Sequence, residues 1–217
     1  MPNLNHPNII HFEESFLLKN PKPCLCLVME YAEGDDMFKR IKNQIKNKTF
    51  FSENQILDWL TQICLGIKFL HDRKILHRDL KTENIFLTKN QIIKLGDFGV
   101  AKCLDYTLEK ASSHVGSPYY ISPEILNGEE YSYPTDVWSL GVILYELCCL
   151  KKPFEGRNIG ELNANIIRGK YIDIKTDYSK DLKCLVNNLL NKNQEQRMRI
   201  NDILSKVAQF NKRIKDN

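Results

Sequence analysis

Apolar and polar positions follow two rhythms along the chain, and each rhythm marks a kind of element. Ile9 to Leu18 and Cys24 to Met29 are apolar-rich runs separated by Lys19 to Pro23, which holds two prolines. Short runs broken by proline predict a β-hairpin. Helical spacing begins at Gly34-Asp35-Asp36-Met37, with Asp36 as the N-cap. A longer helix opens at Ser52, where Gln55 three residues on makes a capping box. Its apolar residues Ile56, Leu60, Ile63, Ile67 and Leu70 recur on one face, and Trp59 reads as packing. That helix ends near His71-Asp72. Two brief strands follow, Ile85-Phe86-Leu87 and Ile92 to Leu95, joined by a turn at Lys89-Asn90. Val100 to Gly116 shows no periodicity. A helix carries Asp136-Val137-Trp138-Ser139-Leu140-Gly141, Lys152-Pro153-Phe154 is a loop, and short amphipathic helices continue to Phe210. The longest apolar run, Leu140 to Leu150, is interrupted by Glu146 and is too short to span a bilayer.

Chemistry concentrates between Leu76 and Gly99. Two polar clusters, His77 to Asn84 and Asp97-Phe98-Gly99, sit at the ends of the second pair of strands, on loops, where scaffolds display reactive groups. The hairpin brings Asp79, Asn84 and Asp97 together. Asp79 can accept a hydroxyl proton. Asn84 and Asp97 offer the oxygen ligands that a hard cation such as Mg²⁺ prefers. Positioning a nucleophile and neutralising phosphate charge with a metal is the outfit for phosphoryl transfer.

Composition adds little to this reading. The chain has 217 residues, 42% hydrophobic and 27% charged, enough for one large domain or two small lobes. A net charge of +4 argues for neither nucleic acid nor membrane as a partner. Seven cysteines without a C-x-x-C pair make a zinc site an unfavoured expectation. Buried free thiols in a reducing, cytoplasmic compartment are the expectation instead. The first residues lack the basic-then-apolar order of a secretory signal.

His77-Arg78-Asp79-Leu80-x-x-x-Asn84 followed by Asp97-Phe98-Gly99 resembles the signature of the protein kinases, a pattern already documented for that class. The resemblance implies an α+β, protein-kinase-like fold: a mainly helical large lobe and a remnant of about two strands of the small-lobe antiparallel sheet. Residues 1–30 would be that remnant, 31–210 the large lobe, and 211–217 a basic tail. ATP and Mg²⁺ are the implied cofactors. Asp79 would orient the acceptor hydroxyl and take its proton. Lys81, in the serine/threonine form of the loop, would stabilise the phosphate charge. Asn84 and Asp97 would hold the metal. Met29-Glu30-Tyr31-Ala32 resembles the hinge, with Met29 as gatekeeper, Glu30 and Ala32 binding adenine through their backbones, and Phe86 under the ring. Ser117 to Glu124 resembles the end of an activation segment. Asp136 would accept hydrogen bonds from the catalytic-loop backbone, and Arg197 would pair with Glu124.

Longer runs, HDRKILHRDLKTENIFL, KLGDFGVAK, GSPYYISPEI and DVWSLGVILYELCCLKKPFEG, are similar to the NIMA-related (NEK) kinases. That likeness implies protein substrates with Ser or Thr acceptors, cytoskeletal or cell-cycle partners, and a cytoplasmic location extending to the centrosome or cilium. It places an activating phosphosite at Ser113, with Ser112 as the alternative, and a phosphate there would pair with Arg78. It also connects Val100 with a preference for threonine acceptors. Asp35 stands where the family has a second glycine, and Ser117 where it has threonine. The resemblance begins after helix C: no G-x-G-x-x-G stretch and no V-A-I-K-like lysine occurs in the 217 residues. The expectation is therefore the downstream part of a complete kinase. The alternative is a natural short form acting as a catalytically impaired, pseudokinase-like scaffold or binding protein. Phe12 and Phe98 would stack into an apolar column that lacks helix C.

Overall fold

The computed structural model describes residues 4–19, 21–97, 118–174 and 177–215. Phe98, Val100, Ser112, Ser113 and Ser117 lie outside them. In chain order the elements are β1 (Phe12–Leu18), β2 (Cys24–Met29), α1 (Met37–Asn47), α2 (Glu53–Asp72), β3 (Ile85–Leu87), β4 (Ile93–Leu95), α3 (Pro123–Leu126), α4 (Tyr133–Cys149), α5 (Ile159–Arg168), α6 (Lys180–Leu189) and α7 (Ile200–Lys215). Helices dominate the described residues, and the strands form two separate antiparallel pairs, β1–β2 and β3–β4. The α+β arrangement is the one expected.

Local chemistry explains the boundaries. Asp36 accepts a 2.8 Å bond from Lys39 N–H and caps α1. Ser52 caps α2 by accepting from Gln55 N–H at 3.3 Å. A complete capping box forms instead at α4, where Ser132 and Thr135 bond reciprocally and Pro134 occupies the first turn. Lys48 and Leu150 end α1 and α4 in the left-handed region, at φ 55° and 56°.

The core is built around α4. Every residue from Thr135 to Cys148 is buried, as expected of a helix surrounded by others. The predicted face of α2, Ile56, Leu60, Ile63, Ile67 and Leu70, is buried, with α4, α7 and β4 around the helix. Trp59 is 2% exposed and meets Phe51 edge-on at 5.0 Å, so it is packing. Beneath α4, Trp138 stacks on Phe154 at 5.5 Å, and Phe154 meets Tyr171 edge-on at 5.7 Å.

The first hairpin is shorter than its apolar pattern. Ile9 and Ile10 are buried and serve a different partner. Ile10 N–H donates to Leu95 O at 2.8 Å, and Leu95 N–H donates to Asn8 O at 2.9 Å, so this segment pairs in parallel with β4. Their hydrophobicity is spent against β4, and β1 begins only at Phe12. Ile92 similarly falls in the turn and is exposed, leaving β4 to start at Ile93. The β1–β2 pair itself has no buried residue on either strand. Phe16, Leu17, Leu18, Leu25, Val28 and Met29 stand exposed on it.

One buried ion pair ties α3 to the segment between α6 and α7. Arg197 holds Glu124 through two parallel bonds, 2.6 and 2.9 Å, and also donates to Pro134 O at 2.7 Å. Burial pushes the Glu124 carboxyl up, but the bonds and charge of Arg197 outweigh it and hold the group below its ordinary value. A carboxylate depressed in the fold contributes stability above its unfolded value, and that contribution is lost as pH falls through the folded one. Glu124→Gln should therefore cost about 3–5 kcal/mol at neutral pH, because it leaves a buried guanidinium without its anion. Below about pH 4 its stability should fall less steeply than the parent's. Urea unfolding across pH measures both, and a loss that stays constant into acid would contradict the assignment.

Candidate active site

The site is assembled from two loops bound to each other and to α4. The first, His77 to Asn84, has an unusual backbone: Arg78 adopts φ 67° without being glycine. Such a conformation persists where surroundings over-determine it, at a cost of order 1–3 kcal/mol. Here the constraint is Asp136. Its carboxylate accepts His77 N–H at 3.0 Å through Oδ2 and Arg78 N–H at 3.1 Å through Oδ1. His71 Nε2 lies 2.7 Å from Oδ2, and Tyr131 donates its hydroxyl to Oδ1 at 2.8 Å. Asp136 is fully buried. Burial pushes its carboxyl up, yet the bonds from His71 and His77 prevail and hold it below the ordinary aspartate value. The expected contact of Asp136 with the loop backbone is present. His71 and Tyr131 were not read from the sequence as its partners.

Within the loop three side chains converge. Lys81 Nζ lies 2.8 Å from Asp79 Oδ2. Asn84 Nδ2 donates to the same oxygen at 3.0 Å and to Asp79 O at 2.8 Å. The amide nitrogen of Asn84 is thus committed to Asp79, which leaves its carbonyl oxygen for another ligand. A single turn, Thr82–Asn84, sets this spacing, closed by Asn84 N–H on Lys81 O at 3.0 Å.

The second loop is joined to the first through backbone. Gly96 N–H donates to Asn84 O at 3.0 Å, and Ile85 pairs with Leu95. Asp97 follows at once, exposed and at φ 54°, with no hydrogen bond to any described residue. A Cβ on Gly96 would fall 2.7 Å from the Phe86 ring, so this position must be glycine for Phe86 to lie where it does. Asn84 and Asp97 suit Mg²⁺ by chemistry: both are oxygen donors, and two protein ligands leave room for phosphate oxygens and water. Among the described residues no cluster of three His, Cys, Asp or Glu side chains forms a closed metal cage.

The hinge-like stretch runs beside β3. Gly34 N–H bonds Leu87 O at 2.7 Å, Leu87 N–H bonds Asp35 O at 2.9 Å, and Asp36 bridges Phe86, so Ala32 is carried past the strand holding Phe86. Asp35 adopts φ 67°, a glycine-like conformation, and its carboxylate reaches Lys39 at 3.3 Å. The backbone therefore keeps the form that glycine would take there. Met29 is exposed at the end of β2. Glu30 makes contacts that its place in the sequence did not suggest. Its carboxylate pairs with Lys94 at 2.6 Å and accepts His11 N–H at 3.1 Å, and its N–H donates to His11 O at 2.8 Å. Residues 64 positions apart carry no local signal of such a pairing.

A match to the family described as the protein kinase domain covers residues 1–207. The chain belongs to the protein kinase family. Among curated relatives, the mouse serine/threonine-protein kinase Nek1 is 47% identical over 206 residues, covering 95% of this chain and 17% of the relative. The human serine/threonine-protein kinase Nek5 is 46% identical over 95% of this chain and 28% of its own length. The mouse Nek3 kinase is 44% identical over 91% of this chain and 38% of its own. The kinase thus resembles the NIMA-related group, as its runs of sequence suggested, and spans well under half the length of these relatives.

The dependence of the loop on Asp136 is testable in this kinase. Asp136→Ala leaves two buried N–H groups unbonded and should cost about 2–5 kcal/mol of stability. Asp136→Asn keeps one accepting oxygen and should cost about half as much. Denaturant unfolding of both variants decides it, and equal losses would show that the carboxylate is not the loop's support.

Proposed function

We propose that this protein transfers the γ-phosphoryl group of ATP, with Mg²⁺, to Ser or Thr hydroxyls of proteins. The observation that carries the reading is the Asp79–Lys81–Asn84 arrangement. One carboxylate is oriented by an ammonium at 2.8 Å and an amide at 3.0 Å, and the backbone of the same Asn84 is bonded by Gly96 N–H, directly before Asp97. Asp79 accepts the proton of the attacking hydroxyl. Lys81 turns from Asp79 to the transferring phosphate as negative charge grows there. Asn84 and Asp97 would hold Mg²⁺, which would supply charge neutralisation for the phosphates. Phe86, the backbone of Glu30 and Ala32, and Met29 would hold the adenine. Ser113 is the regulatory phosphosite, its phosphate pairing with Arg78. The likeness to Nek1, Nek5 and Nek3 supports serine/threonine acceptors, and cytoskeletal or cell-cycle proteins in the cytoplasm are the proposed partners.

The absence of a glycine-rich loop and a phosphate-clamping lysine from these 217 residues bears on activity. Losing one preorganised donor typically costs about 10²–10³ in rate. The 217 residues alone should thus bind ATP weakly and transfer poorly, which would leave them a scaffold-like role. In the full-length gene product, Asp79→Asn should lower single-turnover transfer by at least about 10², with ATP affinity nearly kept. Transfer within tenfold of the parent would overturn the role given to Asp79. Ser113→Ala should lower the activity of phosphorylated enzyme, and a variant as active as the parent would refute that site.

A further inference from the structure

Behind the catalytic loop lies a second polar cluster, remote in sequence and mostly buried. It joins four segments: the turn Thr82–Asn84, the end of the activation segment at Tyr120, the last turns of α4 at Glu146, and the loop containing Lys152. The Tyr120 hydroxyl donates to Glu146 Oε2 at 2.8 Å. The same phenol oxygen accepts Thr82 N–H at 3.3 Å and lies 2.9 Å from Thr82 Oγ1. Lys152 Nζ donates to the Tyr120 hydroxyl and to Glu146 Oε2, the latter at 2.6 Å, with the ammonium 4.0 Å from the centre of the Tyr120 ring. Ser139 fixes the Tyr120 backbone by donating to its carbonyl at 3.0 Å. Glu83 is the other charged group at the edge of the cluster, 3.3 Å from Thr82 Oγ1. Glu146 is 4% exposed and Tyr120 5%.

The hydrogen-bond accounting leaves little freedom. A phenol has one proton to give and two lone pairs to receive with. The proton goes to Glu146, one lone pair serves the Lys152 ammonium, and the other is shared by the Thr82 amide and the Thr82 hydroxyl. Glu146 would be a buried, uncompensated carboxylate without Lys152. Thr82 directly follows Lys81 and opens the turn Thr82–Asn84, so the anchored amide belongs to the turn that spaces Lys81 and Asn84 around Asp79.

We propose that Lys152 is a positioning residue for phosphoryl transfer: by clamping Tyr120 between Glu146 and the Thr82 amide, it fixes the turn that aligns Lys81 and Asn84 with Asp79. Lys152 bonds Tyr120 and Glu146 and none of Asp79, Lys81 and Asn84, so its effect on them runs through Tyr120. The proposal rests on the catalytic roles given above to Asp79, Lys81 and Asn84.

Two readouts separate it from that reading. The first needs no activity. Amide hydrogen exchange of the 217-residue chain should show Thr82 and Asn84 exchanging about tenfold faster in Lys152→Met and in Tyr120→Phe. The second is steady-state kinetics of the full-length gene product. Lys152→Met should lower kcat about 10–100-fold while KM for ATP and for a peptide acceptor stays within about threefold, because misplaced groups cost rate more than binding. Lys152→Arg should restore most of kcat. Tyr120→Phe removes only an oxygen from a packed ring, so it tests the path even if the lysine variant is poorly folded. Combining it with Lys152→Met should lose no more than the worse single change. Unchanged exchange at Thr82, an unchanged kcat in Lys152→Met, or fully additive losses would each overturn the proposal. A parent enzyme without phosphotransfer would instead defeat the functional reading, and the exchange measurement would still decide whether Lys152 sets the turn.

Discussion

A single buried carboxylate, Asp136, holds the loop from His77 to Asn84 in a shape its own residues would not choose. Arg78 at φ 67° is a strained position for a long side chain. The loop amides on either side of that strain point the same way, into Asp136. Burying an ion costs several kcal/mol, and the cost is met only when every lone pair finds a donor. Four donors do so here, two from the loop backbone and one each from His71 and Tyr131. The position in the first turn of α4 adds the positive end of a helix dipole. Because α4 is buried along nearly its whole length, the anchor cannot drift without disturbing the core. The rigidity of the hydrophobic centre is thereby transmitted to Asp79 through two hydrogen bonds.

The geometry on the other side of Asp79 depends on backbone more than on charge. Asn84 is fastened to Asp79 by its side-chain nitrogen and to Gly96 by its backbone carbonyl, so one residue links the loop holding Asp79 to the loop holding Asp97. Short strands suffice because only three residues on each side need registering. The same economy explains why Gly96 tolerates no side chain: Phe86 comes so near that a methyl group would displace it.

Much of this was legible in the sequence because it is local. The caps at Asp36 and Ser52, the apolar face of α2, the brief strands around Lys89-Asn90 and the polar clusters at their ends all lie within windows of a few residues. The Asp136 and Arg197 contacts were legible only through resemblance, since nothing in spacing connects Arg197 with Glu124. What stayed hidden were pairs with no local period and no shared motif. Lys94 with Glu30, His71 with Asp136, and Lys152 with Tyr120 and Glu146 are such pairs, each made by the tertiary fold. The apolar residues Ile9 and Ile10 were misassigned to β1 for the same reason: hydrophobicity signals burial but not against what, and β4 took them.

The β1–β2 hairpin shows how far the fold's stability extends from the core. A strand pair is registered strongly when one of its faces is buried, since a one-residue slip would expose it. Neither strand of this pair buries a residue, so packing does not fix its register. Polar contacts near its base take over. Glu30 bonds both backbone groups of His11 and pairs with Lys94 on β4, while Asn8 and Ile10 are stitched to the far side of β4. Burial pushes the Glu30 carboxyl up, but the Lys94 bond and its neighbours hold it below the usual range, so the clasp is charged at neutral pH. The root of the hairpin is thus bound to the same strand that leads to Asp97, and the tip is left with exposed leucines that meet only each other across the strands, as Leu17 meets Leu25. Isolated pairs of strands are marginal in water. Order should therefore decay from the Glu30 clasp towards Leu18 and Cys24, and the hinge-like stretch, which lies on the bound side of that gradient, keeps its place beside Phe86 whatever the tip does.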